Sequence, residues 1–110
     1  MKLLIGKRRM TDQPIRSDIL DQAKQLLSGE RQVQYGPPEV NFQRIAQLWD
    51  IQFPEYSSVE PFTPEKVAFA LLGVKVARQI QGYKRDTCVD LAGYAALIAE
   101  LSENSVNTNS

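Results

Sequence analysis

Residues 63–101, TPEKVAFALLGVKVARQIQGYKRDTCVDLAGYAALIAEL, decide the fold. Thr63-Pro64-Glu65 is a helix start: a hydroxyl that can accept a backbone N–H, a proline at the first helical position, and an acid against the positive end of the helix dipole. Val67, Ala68, Leu71, Leu72, Val74 and Ile80 follow at helical spacing, which predicts a helix over about 64–81 ended by Gly82. A further helix begins around Lys84 to Asp86 and runs to about Leu101 through Ala92, Gly93, Ala95, Ala96 and Ala99. Folded back at Gly82, the pair forms an antiparallel hairpin.

Four charges lie on this hairpin close to its turn. One stripe reads Pro64, Ala68, Leu71, Lys75, Arg78, and the other reads Asp86, Asp90, Gly93, Leu97 with Tyr94 beside it. Antiparallel pairing sets Lys75 opposite Asp90 and Arg78 opposite Asp86 or Thr87. Charges on largely apolar helices are costly to desolvate, so they must neutralise one another or grip a ligand. The architectural reading is an interhelical salt-bridge ladder that sets the hairpin's register. The ligand reading gives Lys75 and Arg78 a phosphoryl oxygen, and gives Asp86 and Asp90, at i and i+4, a shared Mg²⁺. Two carboxylates are a thin set for one ion, and the candidates for a third are Glu30, Glu39 and Glu65.

Working outward, Pro38 to about Ile51 predicts a helix with Phe42, Ile45, Ala46 and Trp49 on its apolar face, stopped by Pro54. Trp49 is expected in the core, and 54–62 reads as a loop. Ser17-Asp18 suits the start of a first helix over about 17–28, with Gly29 as its stop. Between these two helices lies Tyr35-Gly36-Pro37-Pro38, a rigid turn near Arg31 and Asn41. An aromatic, a guanidinium and an amide gathered there could stack on a base and bond its edge, though a helix connector accounts for them as well. Within the last helix, Gly93 and its alanines allow another helix to approach closely, or leave space for a ligand.

The class is therefore all-α: a single-domain, four-helix bundle-like fold over 15–101, with residues 1–14 and 102–110 expected to be flexible ends. A strand at Lys2 to Ile5 is only a weak hint. Thirteen basic and thirteen acidic residues cancel, so no overall field favours nucleic acid, despite Lys7, Arg8 and Arg9. No apolar run approaches the roughly 20 residues that span a bilayer, and Leu3 to Ile5 is too short for a secretory leader, so a cytoplasmic location is expected. Cys88 is the single cysteine and no histidine is present, which excludes Ser-His and Cys-His chemistry and imidazole metal ligation. A core of this size is often supplemented by self-association, so a homo-oligomer is expected, packed through the Gly93-alanine stripe if the protein is a non-enzymatic assembly protein.

Together, Gly29 and Arg31; Tyr35-Gly36, Pro38, Asn41-Phe42, Ile45-Ala46 and Leu48-Trp49; Thr63-Pro64; Lys75 and Ala77-Arg78; and Asp86, Asp90 and Ala92-Gly93-Tyr94-Ala95-Ala96-Leu97 form a spaced pattern. It resembles an uncharacterised family of small phage and prophage proteins, over roughly residues 17–101. Members often carry a histidine before the first aspartate, where this chain has Lys84-Arg85. More distantly, the last helix is similar to those of MazG-like all-α nucleotide pyrophosphohydrolases, which hold Mg²⁺ with a Glu-Glu-x-x-Glu helix and a later acidic helix. Only the later helix has a counterpart here, in Asp86 and Asp90. The charged cluster and the proline turn suggest a nucleotide or phosphorylated ligand held by Lys75, Arg78, Arg31, Tyr35 and Asn41; the resemblance points the same way and implies Mg²⁺-dependent phosphoanhydride hydrolysis if there is turnover. The alternative class is a non-enzymatic interaction or assembly protein acting on a host or phage partner, its charges purely architectural.

Overall fold

The computed structural model describes residues 13–28 and 36–109, with side chains through 106. The basic cluster, the hinted strand and the Gly29 stop lie outside the described residues. Among the described residues there are five helices: α1 (Ile15–Ser28), α2 (Pro38–Gln52), α3 (Pro54–Ser57), α4 (Pro64–Ile80) and α5 (Arg85–Asn109). Helices α4 and α5 form the antiparallel hairpin, α2 packs on α4, and α1 packs on α5. Among the described residues there is no strand, and the architecture is all-α.

Local chemistry accounts for the boundaries. Thr63 caps α4 by accepting the Lys66 backbone N–H at 3.2 Å, with Pro64 in the first turn. Thr63→Ala is expected to cost about 1 kcal/mol of unfolding free energy; a denaturant titration showing no change would mean that the cap is redundant. Helix α1 starts at Ile15, two residues before the expected cap. The N–H groups of Ser17 and Asp18 donate to the Pro14 carbonyl at 3.0 and 3.2 Å, which places Ser17 inside the first turn. Gln13 adds its side-chain amide to the carboxylates of Asp18 and Asp21.

Two stretches differ from the sequence reading. Pro54 ends α2 and also opens α3, because a proline that cannot continue one helix has the φ suited to beginning another. The Ser57 hydroxyl donates to the Asp50 carbonyl, and the Phe62 N–H donates to Asp50 Oδ1 at 2.9 Å, folding the expected loop back on α2. At the other end, α5 continues past Leu101 to Asn109. No glycine or proline interrupts 102–109, so nothing local forces the helix to stop.

The core lies where α2, α4 and α5 meet. Ala46, Val67 and Ala68 are fully buried, with Phe42 and Leu101 nearly so. The small residues let α2 and α4 approach closely. Trp49 is partly buried at the margin, edge-on to Phe62 with ring centroids 5.6 Å apart. Lys66 pairs with Glu60 on the surface.

Candidate ligand-binding site

The hairpin turn carries Gly82 at φ +142°, a conformation that side chains disfavour. Gln79 steadies it from α4: its Oε1 accepts the Lys84 backbone N–H at 3.2 Å, and its Nε2 donates to Cys88 Sγ at 3.4 Å. One turn further from the hinge, Lys75 Nζ lies 2.9 Å from Asp90 Oδ2. This pair is the expected interhelical rung. Each side chain is about a quarter exposed (21% and 26%), so the pair is partly desolvated yet still reachable.

The second expected rung is not formed. Arg78 and Asp86 are both exposed, and among the described residues no ion pair joins them. The reason is helical phase. From Lys75 the face turned to α5 continues four residues on, at Gln79, while three residues on points Arg78 away. The spacing alone could not decide this, since at about 3.6 residues per turn either step keeps near the stripe and only the partner helix selects between them.

Lys75 and Asp90 sit on the wall of a cavity of about 320 Å³, within the size range of small-ligand pockets. Leu71, Gly93, Tyr94 and Leu97 extend the hairpin side of this wall; Leu26 and Leu27 supply the α1 side; Gly36, Pro38, Asn41, Phe42 and Ile45 supply the α2 side. The proline turn and the hairpin charges, separate in the sequence, thus converge on one space. Phe42 and Tyr94 lie nearly parallel, 17° apart with centroids 6.5 Å apart. The α1 leucines were not anticipated as part of a site, because nothing in an amphipathic helix identifies which cavity its apolar face will close.

Among the candidate residues, the structure brings together Lys75, Asp90 and Asn41. Arg78 and Asp86 are not among the cavity's lining residues. Arg31 and Tyr35 lie outside the described residues, although the adjacent Gly36, at φ +81°, is on the wall. Among the described residues, no three carboxylate or thiol side chains converge as a metal site. Asp90 is engaged by Lys75, and Asp86 is exposed.

Gly93 explains itself only partly by packing. A Cβ built there would meet Leu27 Cδ2 at 3.9 Å, an ordinary contact, so the glycine keeps space at the cavity wall more than it admits a tightly packed helix. Gly93→Ala is accordingly expected to stabilise the fold by up to about 1 kcal/mol through helix propensity. A lowered melting temperature would show instead that the α1–α5 contact has no room. The neighbouring Ala95, Ala96 and Ala99 are exposed, whereas Ala92 is half-buried and Gly93 buried.

Fold and cavity define an all-α protein with a ligand-sized pocket flanked by a single ion pair. The chain belongs to the family described as Domain of unknown function (DUF6378), whose model matches residues 18–102. It is similar to the Gene 55 protein of Mycobacterium phage L5, 39% identical over 84 residues that cover 76% of this chain and 51% of that protein. It is also similar to the Gene 55 protein of Mycobacterium phage D29, 38% identical over 89 residues covering 80% of this chain and 56% of that protein. The chain thus spans about half the length of these curated relatives. No solved structure matches it significantly. The matches support a phage protein family. Among the described residues no helix is long and apolar enough to cross a membrane.

Proposed function

We propose that this protein binds a nucleotide or a related phosphorylated small molecule in the cavity between α1, α2 and the hairpin. The observation that carries the reading is the convergence on one apolar cavity of a cation, a carboxylate and an amide: Lys75, Asp90 and Asn41. Apolar walls with a few convergent polar groups are the usual composition of a small-molecule site. Phe42 and Tyr94 offer flat aromatic surface to a base. Asn41 can both donate to and accept from a base edge. Lys75 supplies the point charge for a phosphoryl oxygen, and as it turns to the ligand, Asp90 is released to accept from a ligand N–H or hydroxyl. Tyr35, next to Gly36 in sequence, and Arg31, four residues before it, are proposed as further ligand contacts.

The likeness of the last helix to MazG-like enzymes supports the choice of nucleotides. Binding without turnover is favoured, because the Glu-x-x-Glu helix of those enzymes has no counterpart in α2. Calorimetric titration with nucleoside mono-, di- and triphosphates, each with and without Mg²⁺, tests the reading. Saturable heat that vanishes in Lys75→Met supports it. Silence across the panel at millimolar ligand removes it, and phosphate release in the Mg²⁺ arm would add catalysis.

A further inference from the structure

Helix α4 buries one side, and among the described residues nothing covers the other. Val67 and Ala68 face the core, whereas Phe69, Val76 and Ile80 recur on the opposite side at 60%, 47% and 83% exposure. Tyr83 extends the same stripe beyond the helix end. The positions between them on this face are Gly73 and Ala77, so no charge interrupts the stripe from Phe69 to Ile80. Gly73 has nothing within 4 Å of where a Cβ would stand. Within a single copy, therefore, neither packing nor backbone conformation requires a glycine there, although one in mid-helix weakens the helix. A contiguous apolar face of this kind is a usual mark of an interaction surface. The modest core points the same way, since among its members only Val67 is a larger side chain buried completely.

The charges at the two ends select the occupant. Glu65 borders the start of the stripe and Lys84 follows its end. Neither has an ion-pair partner among the described residues. Set antiparallel about a two-fold axis midway between Gly73 and Val76, two copies bring Glu65 against the partner's Lys84 at both ends. Phe69 then meets the partner's Ile80, and the glycine lets the two helices approach closely at the crossing. A parallel arrangement would oppose acid to acid and base to base. With equal numbers of acidic and basic residues, no net charge resists the encounter. We propose that the outer face of α4 is the interface of a homodimer, packed antiparallel on the same helix of a second copy. This places self-association on the hairpin's outer side, independent of the cavity.

Sedimentation velocity of the full chain over a micromolar concentration series tests the proposal, with the mass of two chains as the expected result. Gly73→Leu enters open space and favours the helix, so it should fold with unchanged far-ultraviolet circular dichroism. At the crossing it should raise the dimer dissociation constant at least about tenfold, roughly 1.4 kcal/mol. Glu65→Lys should weaken association, and adding Lys84→Glu should restore it. A monomer throughout the series overturns the proposal. A dimer indifferent to Gly73→Leu overturns it too, by moving the contact to another surface such as that of Leu48 and Ile51. Failure of the double charge reversal to restore association overturns the antiparallel register.

Discussion

Phe42→Ala should lower the unfolding free energy by about 3 to 4 kcal/mol, the largest effect expected of any single substitution here. The ring is only 7% exposed and belongs to the cluster of Ala46, Val67, Ala68 and Leu101. Those neighbours are mostly small, so they cannot collapse far into the space that a phenyl ring leaves. Phe42 also stands between the core and the cavity, stacked on Tyr94. Its loss would therefore join a new void to an existing one. For a domain whose net stability is typically about 5–15 kcal/mol, such a loss is a substantial fraction. Urea titration followed by Trp49 fluorescence measures it. A change below about 1 kcal/mol would mean that the ring lies at a loose margin of the fold.

Lys75→Met alone should cost about 2 kcal/mol, between the small value of an exposed ion pair and the several kcal/mol of a fully buried one. It leaves the Asp90 carboxylate at a cavity wall without its cation at 2.9 Å. Lys75→Met combined with Asp90→Leu should recover most of that stability, because the uncompensated charge is gone and both replacements suit apolar walls. Nucleotide binding should be lost in the single and in the double variant. A stable double variant that still binds nucleotide would leave the ion pair with an architectural role only. A double variant no more stable than the single would show that Asp90 has another partner on which the hairpin depends.

Much of the fold is legible in the chain because its punctuation is local. Thr63-Pro64, Pro38 and Gly82 act within a few residues of themselves through caps, fixed φ and positive φ, so the bounds of α2 and α4 follow from sequence to within a residue or two. Pro54 was ambiguous for the same local reason, since one proline can both stop a helix and start one. The Lys75–Asp90 rung is legible because both residues share the hairpin's register with an apolar stripe.

What local chemistry could not carry was phase and closure. Whether Arg78 or Gln79 faces α5 depends on how two rods are rotated against each other, and that rotation is set by packing of Val67, Ala68 and Leu71 far from the turn. By itself, the amino-acid sequence determined an all-α chain, its hairpin and one of its two expected charge pairs, since these follow from spacing along single helices. Only the tertiary structure decided that α1 and the proline turn close a cavity over that pair, that Asp86 and Arg78 face solvent, and that no described residue covers the outer side of α4. Each of those outcomes depends on which helix faces lie against one another, a property of the assembled bundle that no single helix carries.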